Sequence, residues 1–366
     1  MVLGRSTGGI GTHVAELTAG LRALGDRVEV VTDAVTAERF GMREARRWWP
    51  GRAAGLVGSV RRVWWLRGLA KESDVVHAHG HQAGLVSAVA MLGLSTPLVV
   101  SQHNAVLAGG LKGRVLGLAQ RFVARRAMLV TGASSDLVDE AERLGAGEAR
   151  LAPVPSPRVA ELLAGEPLDE SARRAAAREL LRDNGIEVEP GTPMVLTIAR
   201  IAPQKDLDTF MDTMAVLRVP AVGVVIGGGD EDLRASFAAR VAEDRLPVHF
   251  VGAQDDPERW LRAADVFVLT STWEARALVV QEAMAAGVPV VATATGGLPD
   301  LVEGVGALVP VGAAAAASRA VETYLRDAAT RHTAVVKGRE RAKDWDDDEA
   351  TARRWQEWYR ALPGMT

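Results

Sequence analysis

The sequence contains no cysteine. That excludes disulfides, thiol catalysis and cysteine-ligated zinc, and it fits a cytoplasmic compartment. A strong charge imbalance is also missing. With 43 basic and 46 acidic residues the formal net charge is -3, which points neither to bulk nucleic-acid binding nor to disorder. No secretory signal is visible, because Gly4 and the run Ser6-Thr7-Gly8-Gly9 fall where an apolar segment would have to lie. The uncharged run 83–101 approaches the length of a membrane span. Gly84, Ser87, Gly93, Ser95 and Pro97 divide it instead into a buried helix over 84–92 and a strand over 98–101. At 366 residues the chain exceeds one typical core and suits two domains.

The stretch 266–301 carries the most chemistry. VFVLTSTWEARALVVQEAMAAGVPVVATATGGLPDL reads as a strand over 266–270, a polar turn holding Glu274 and an apolar helix holding Glu282. A Gly-Val-Pro stop, a second strand over 288–293 and a glycine turn follow. If residues 274–282 were all helical, the two carboxylates would lie ~12 Å apart along the axis and ~80° apart around it, and could not share a face. Placing Glu274 in the loop and Glu282 one or two turns into the helix lets both line a cleft at the carboxyl ends of parallel strands.

Two glutamates separated by seven residues, an Ala-Met-Ala-Ala-Gly helix end, Val-Pro-Val-Val-Ala-Thr and Gly-Gly-Leu-Pro-Asp-Leu-Val resemble the donor-binding segment of retaining glycosyltransferases of family 4, the group 1 glycosyltransferases. For this segment alone, an ordinary αβ unit with surface glutamates is the alternative. The resemblance implies the α/β GT-B architecture, two Rossmann-like doubly wound domains with an interdomain cleft. Ala152-Pro-Val-Pro-Ser-Pro157 interrupts regular structure three times and is the best boundary. The expected organisation is an acceptor-binding domain at 1–155 and a linker with a helical segment at 156–190. A donor-binding domain at 191–345 follows, then a closing helix at 346–366 whose Trp355, Trp358 and Tyr359 pack back on the first domain.

By this resemblance, Arg200 and Lys205, on the loop after a strand at 194–199, hold the donor diphosphate. The physical reason is the negative charge that builds on a departing nucleoside diphosphate, which two fixed cations stabilise. As an isolated pattern such a pair is most often solvated surface. Glu274 would bind sugar hydroxyls and Glu282 the ribose, with Gly229, Gly252 and Leu278 also on the donor side. In the first domain, Gly9 and Gly11 sit in a glycine loop between a short strand at 1–4 and a helix over 12–24, where backbone amides can approach phosphate. The strand is short for a central position, as if the usual family start lay upstream or the strand were frayed. His103 would contact the transferred sugar, and His79 or His81 would lie on the acceptor side. His77 reads as a satisfied buried residue.

Three further signals carry other readings. Gly9-Ile10-Gly11 followed by a strand over 28–32 and Asp33 suggests an NAD-dependent oxidoreductase, but Val14 stands where the third glycine belongs. Asp230-Glu231-Asp232 and Asp346-Asp347-Asp348 contain Asp-x-Asp and read as surface acids; no cofactor and no essential metal are expected. Residues 43–71 hold seven arginines, Lys71, a single acid and the pairs Trp48–Trp49 and Trp64–Trp65. Residues 1–150 carry 19 bases against 13 acids, the remainder 24 against 33. An anionic membrane surface is one reading of the basic stretch, with the protein peripheral to the inner face of the membrane; a solvated arginine-rich helix pair is the other.

The expected function is retaining transfer of a sugar from a UDP- or GDP-sugar to an acceptor hydroxyl, by front-face displacement. The acceptor, lipid-linked or polysaccharide, is not specified by the sequence. A nucleotide-sugar epimerase and a non-catalytic nucleotide-sugar binding protein are the alternatives on the same architecture. One departure from the family pattern is Ala275, where a glycine usually follows the first glutamate.

Overall fold

The computed structural model describes residues 1–6, 8–47, 55–106 and 110–364. The chain forms two compact units, one of residues 1–155 with 346–366 and one of residues 156–345. The pair Trp48–Trp49 lies outside the described residues.

In the first unit strands and helices alternate: β1 (Val2–Leu3), α1 (Gly9–Ala23), β2 (Val31–Thr32), α2 (Ala34–Arg39), β3 (Arg46–Arg47), α3 (Gly55–Lys71), β4 (Val76–His79), α4 (His81–Ala90), β5 (Leu98–Gln102), α5 (Gly110–Arg126), β6 (Leu129–Gly132), α6 (Ser135–Arg143) and β7 (Ala149–Leu151). The second unit opens with α7 (Val159–Ala164) and α8 (Glu170–Asp183). It continues through β8 (Met194–Ile198), α9 (Leu207–Ala215), β9 (Val222–Ile226), α10 (Glu231–Asp244), β10 (Val248–Gly252), α11 (Pro257–Ala263), β11 (Val266–Leu269), α12 (Leu278–Ala285), β12 (Val290–Thr293), α13 (Leu298–Val302), β13 (Ala307–Val309), α14 (Ala314–Arg326) and α15 (Ala328–Lys343). The last helix, α16 (Asp348–Arg360), belongs to the first unit.

Both sheets are parallel throughout. Their orders are β3-β2-β1-β4-β5-β6-β7 and β10-β9-β8-β11-β12-β13, so each runs outward from its first strand and then reverses. That is the doubly wound arrangement, and its ligands sit where the order reverses. The reversal lies between β1 and β4 in one unit and between β8 and β11 in the other.

Buried strands read as near-continuous apolar runs because helices cover both faces. Met194, Leu196, Val224, Phe267 and Leu269 pack on one side of the second sheet, and Val195, Val225, Val266 and Val268 on the other. The segment 156–190 is not free linker: Leu162, Ala177 and Leu181 lie within that first core. In the first unit α16 packs along α1, where Ala352 lies against Gly20 and Trp355 is fully buried. Of the strand expected over 28–32 only Val31–Thr32 forms β2, which pairs with β1 on one side and β3 on the other.

The acidic runs have local structural work. Asp230 caps α10 by accepting from the Leu233 amide, and Asp347 caps α16 by accepting from the Ala350 amide. Asp33 likewise accepts from the Val35 and Thr36 amides at the start of α2, so its carboxylate is occupied where a dinucleotide site would need it on a ribose.

Candidate functional site

In the second unit the strands beside the reversal, β8 and β11, each end in a loop with a charged side chain. After β8 the chain passes Arg200 into a 3-10 turn, Pro203–Lys205. After β11 it passes Ser271 and Trp273 to Glu274, which lies in the loop, while Glu282 is the fifth residue of α12. The two loops are zipped together. The Thr272 amide donates to the Gln204 carbonyl (2.9 Å), Gln204 Nε2 donates to the Trp273 carbonyl (2.6 Å), and Thr270 Oγ1 donates to the Asp206 carbonyl (2.9 Å). The result is a direct ion pair between Lys205 Nζ and Glu274 Oε1, which also accepts from Ser271 Oγ at 2.6 Å. Both side chains of the pair are largely buried. Oε1 is thus committed twice, and Oε2 is the oxygen left to meet a ligand.

Glycines fix the backbone around this pair. A Cβ on Gly296, whose φ is +54°, would stand 1.9 Å from the Glu274 carbonyl oxygen, and the Gly297 amide donates to that oxygen at 2.8 Å. The Gly-Gly turn therefore backs the Glu274 peptide. Gly229 serves the other loop. It bridges Ile201, next to Arg200, and a Cβ there would lie 2.3 Å from the Ile201 carbonyl. Arg200 itself is exposed and has no ion-pair partner among the described residues. Gly252 ends β10 with φ +73° and open space beside it, and its carbonyl accepts from the Gly227 amide.

Glu282 is 8% exposed. Its Oε1 accepts from Ser156 Oγ at 2.7 Å, and Arg158 approaches its Oε2 at 3.8 Å. Burial raises its carboxyl above the ordinary range, against the lowering effects of Ser156 and Arg158. Four residues before it, α12 begins at Leu278 without a side-chain cap, and the Val280 and Gln281 amides turn back to Ala277. The Leu278 and Val279 amides are left as donors at the positive end of the helix.

The first unit gathers four buried histidines at its own reversal. His79 ends β4, His103 follows β5, and His13 comes from α1. His79 Nδ1 and His103 Nε2 are 3.2 Å apart, and the His13 ring stands edge-on to both. His77 has both nitrogens partnered, by Tyr359 at 2.6 Å and Ser101 at 2.7 Å. Desolvation is the main cause of every shift here. It lowers His13 to about 4 and His103 to about 3, and holds His77 and His79 well below the usual imidazole value. All four are neutral at neutral pH. Among the described residues no group of three or more His, Cys, Asp or Glu is arranged to hold a metal ion.

One expectation changes in this unit. Gly9 and Gly11 are not in a loop but in the first turn of α1. A Cβ on Gly11 would stand 2.2 Å from the Phe40 ring, so packing alone already asks for glycine there. His79 is buried among rings. His81 is the less enclosed residue, with Nε2 donating to the Asn104 carbonyl at 2.6 Å. His13, Ser156, Gln204 and Ser271 were not foreseen. Only His13 left a trace in the sequence, as a polar residue on the inward face of an amphipathic helix beside Val14 and Leu17.

An anion and a polyol are the ligands such groups suit. Cations and helix-end amides take phosphate, while partly free carboxylates take vicinal hydroxyls. Comparison with known proteins agrees. Residues 182–341 match the family profile "Glycosyl transferases group 1", and residues 8–157 match "Glycosyl transferase 4-like domain". The D-inositol 3-phosphate glycosyltransferase of Streptomyces avermitilis is 32% identical over 344 residues, covering 80% of this chain and 69% of that one. Its counterpart from Xylanimonas cellulosilytica is 29% identical, covering 81% and 77%. Among solved structures, HepE of Anabaena in complex with UDP superposes with a TM-score of 0.82 at 20% identity, covering 99% of both chains.

Proposed function

The chain belongs to the group 1 glycosyl transferases, nucleotide-sugar-dependent enzymes of family 4 with the GT-B fold, and from that premise we propose that its second unit grips the donor through the cluster around Lys205 and Glu274. The observation that carries this reading is the ion pair itself. Two loops that end neighbouring strands bring a cation and a carboxylate together at the reversal of the sheet, where ligands of this fold bind.

Arg200 and Lys205 hold the diphosphate, with the Leu278 and Val279 amides at the start of α12. Glu274 Oε2 accepts from hydroxyls of the sugar, and Glu282 accepts from the ribose, with Gly229 and Gly252 shaping the nucleoside side. His103 contacts the transferred sugar, and Gly9 and Gly11 lie near the donor phosphates. The donor is a UDP- or GDP-sugar, and UDP-glucose is the first to try, since a structural relative has been solved with it.

In the reaction the bond from the anomeric carbon to the leaving phosphate oxygen breaks. The acceptor oxygen bonds to the same face, and its proton passes to the departing diphosphate. Two cations and helix-end amides stabilise the charge that this leaving group gains, by several kcal/mol in order of magnitude. A covalent sugar intermediate would need a free carboxylate at the anomeric carbon. Glu274 has one oxygen tied to Lys205 and Ser271. Glu274→Gln keeps the shape and loses the charge, and should lower kcat/KM about a hundredfold. Unchanged transfer in that variant would remove the assignment.

The same reading includes a membrane surface as partner. No helix among the described residues is long and apolar enough to cross a bilayer. Yet α3, α4 and α5, packed side by side, contain no acidic residue at all. Trp64 is 66% exposed on α3, Leu85 and Val89 form an outward stripe on α4, and Leu118 and Phe122 lie beside the exposed Arg114 and Arg121 on α5. Apolar side chains flanked by arginines suit the headgroup layer of an anionic bilayer, where each cation contributes about 1 kcal/mol. Sedimentation with anionic vesicles should exceed that with neutral vesicles and fall in Trp64→Glu; equal binding to both refutes the partner.

A further inference from the structure

The contact between His79 and His103 fixes more than the position of a ring. The two planes are within 15° of parallel with centroids 5.5 Å apart, while Nδ1 of His79 and Nε2 of His103 are separated by 3.2 Å. Two ring radii of about 1.1 Å added to that gap nearly account for the centroid distance, so the nitrogens face each other along the line of centres in a linear, in-plane hydrogen bond. Such a bond holds one proton. Either His79 donates and His103 accepts, or the reverse.

The choice decides what the outer nitrogens carry. If His103 donates, the proton of His79 sits on Nε2, which is sealed from solvent and has no partner. Buried N–H groups without partners are rare because nothing replaces the water they lose. If His79 donates, that nitrogen keeps only a lone pair, and the second N–H of the pair moves to Nδ1 of His103. His103 is the more accessible member, 7% exposed against 2%. Its donor can be met by a ligand. The surrounding rings support neutral forms: His77 is 4.0 Å from His79 and His13 stands against both, so a proton added to either would be buried among uncharged neighbours.

We infer that His79 is a positioning residue: by donating from Nδ1 to Nε2 of His103 it holds His103 in the Nδ1–H tautomer, so that the group offered to the transferred sugar is a hydrogen-bond donor. The consequence for mechanism is definite. A His103 with Nε2 occupied and Nδ1 protonated has no lone pair free, so it cannot take the proton of the acceptor hydroxyl. That proton goes to the leaving diphosphate. The part concerning sugar rests on the reading of His103 given above; the tautomer does not.

Two-bond proton–nitrogen correlation spectra of the full chain, labelled with 15N-histidine, read the tautomer directly. The His103 signals are identified by their loss in His103→Gln. Wild type should show Nδ1 of His103 protonated. His79→Phe keeps a ring and removes the donor: the His103 pattern should move toward the Nε2–H form, and kcat/KM should fall about tenfold, the loss of one oriented hydrogen bond. His79→Asn restores an N–H near the Nδ1 position and should recover both. A role in packing alone predicts the opposite order, with the phenylalanine variant active and the asparagine variant impaired. A wild-type spectrum with Nε2 of His103 protonated, or one unmoved by His79→Phe, overturns the inference. A tautomer that follows His79 while transfer does not respond upholds the inference about His79 and removes His103 from the sugar.

Discussion

Lowering the pH from 7.5 to 5 should loosen the first unit and leave the second nearly as it was. The four buried histidines are neutral when folded but titrate near 6.5 when exposed. A base whose folded pKa is depressed favours the unfolded chain as soon as the pH drops below its unfolded value, and the loss stops growing once the folded value is passed. For His13 that window runs from 6.5 to about 4, and for His103 from 6.5 to about 3. At pH 5 each costs about 2 kcal/mol, and His77 and His79 act in the same direction. Glu16, raised to about 7 by burial and by Asp348, works the other way, but it is only partly buried and screening leaves it a fraction of that. A net loss of at least about 2 to 4 kcal/mol is a large share of a domain's stability. Hydrogen exchange read by mass spectrometry reports it locally. Peptides covering β4 and β5 should lose protection by about thirtyfold to a thousandfold after correction for intrinsic rates, while those covering β8 and β9 should change little. His13→Phe keeps the ring, removes one titration, and should return about thirtyfold of the loss. Equal change in both units, or none in the first, would refute the reasoning.

Nucleotide binding should weaken as pH falls and Glu282 gains its proton, beginning above the ordinary carboxylate range because burial raises that group. Titration calorimetry with UDP between pH 5 and 7.5 should show the slope in wild type, and Glu282→Gln should be weaker by about 1 to 3 kcal/mol and flat. Gly296→Ala places a methyl against the Glu274 carbonyl at a positive φ, so its kcat/KM should fall more than tenfold, about 1 to 3 kcal/mol of strain being relieved by moving that loop. Gly228→Ala, which meets nothing within 4 Å, should transfer sugar normally; equal damage in the two would show that the effect is not specific to the Glu274 backing.

The doubly wound order follows from alternating apolar strands and helices, and these were readable because parallel strands buried on both faces have little choice of residue. The strands expected at 194–199 and 266–270 each end one residue earlier, whereas those expected at 28–32 and 288–293 begin three and two residues later. The placement of Glu274 in a loop and Glu282 within a helix follows from the turn chemistry around them. Their partners were not readable. Lys205 meets Glu274 across 69 residues because Gln204 and Trp273 zip two loops, and no local pattern encodes that. Gly11 shows the converse limit: a glycine near a helix start has the same letter whether a phosphate or Phe40 needs the space. Alternation along β4 gives the sidedness of His77 and His79 but not their depth, which depends on α1 and α16 packing over them.

The most direct test of the account is UDP binding by calorimetry in wild type and Lys205→Ala. The account predicts saturable binding to the wild type and at least about tenfold weaker binding to the variant, the loss of a charge-assisted contact to phosphate. Equal affinity in the two proteins would contradict it.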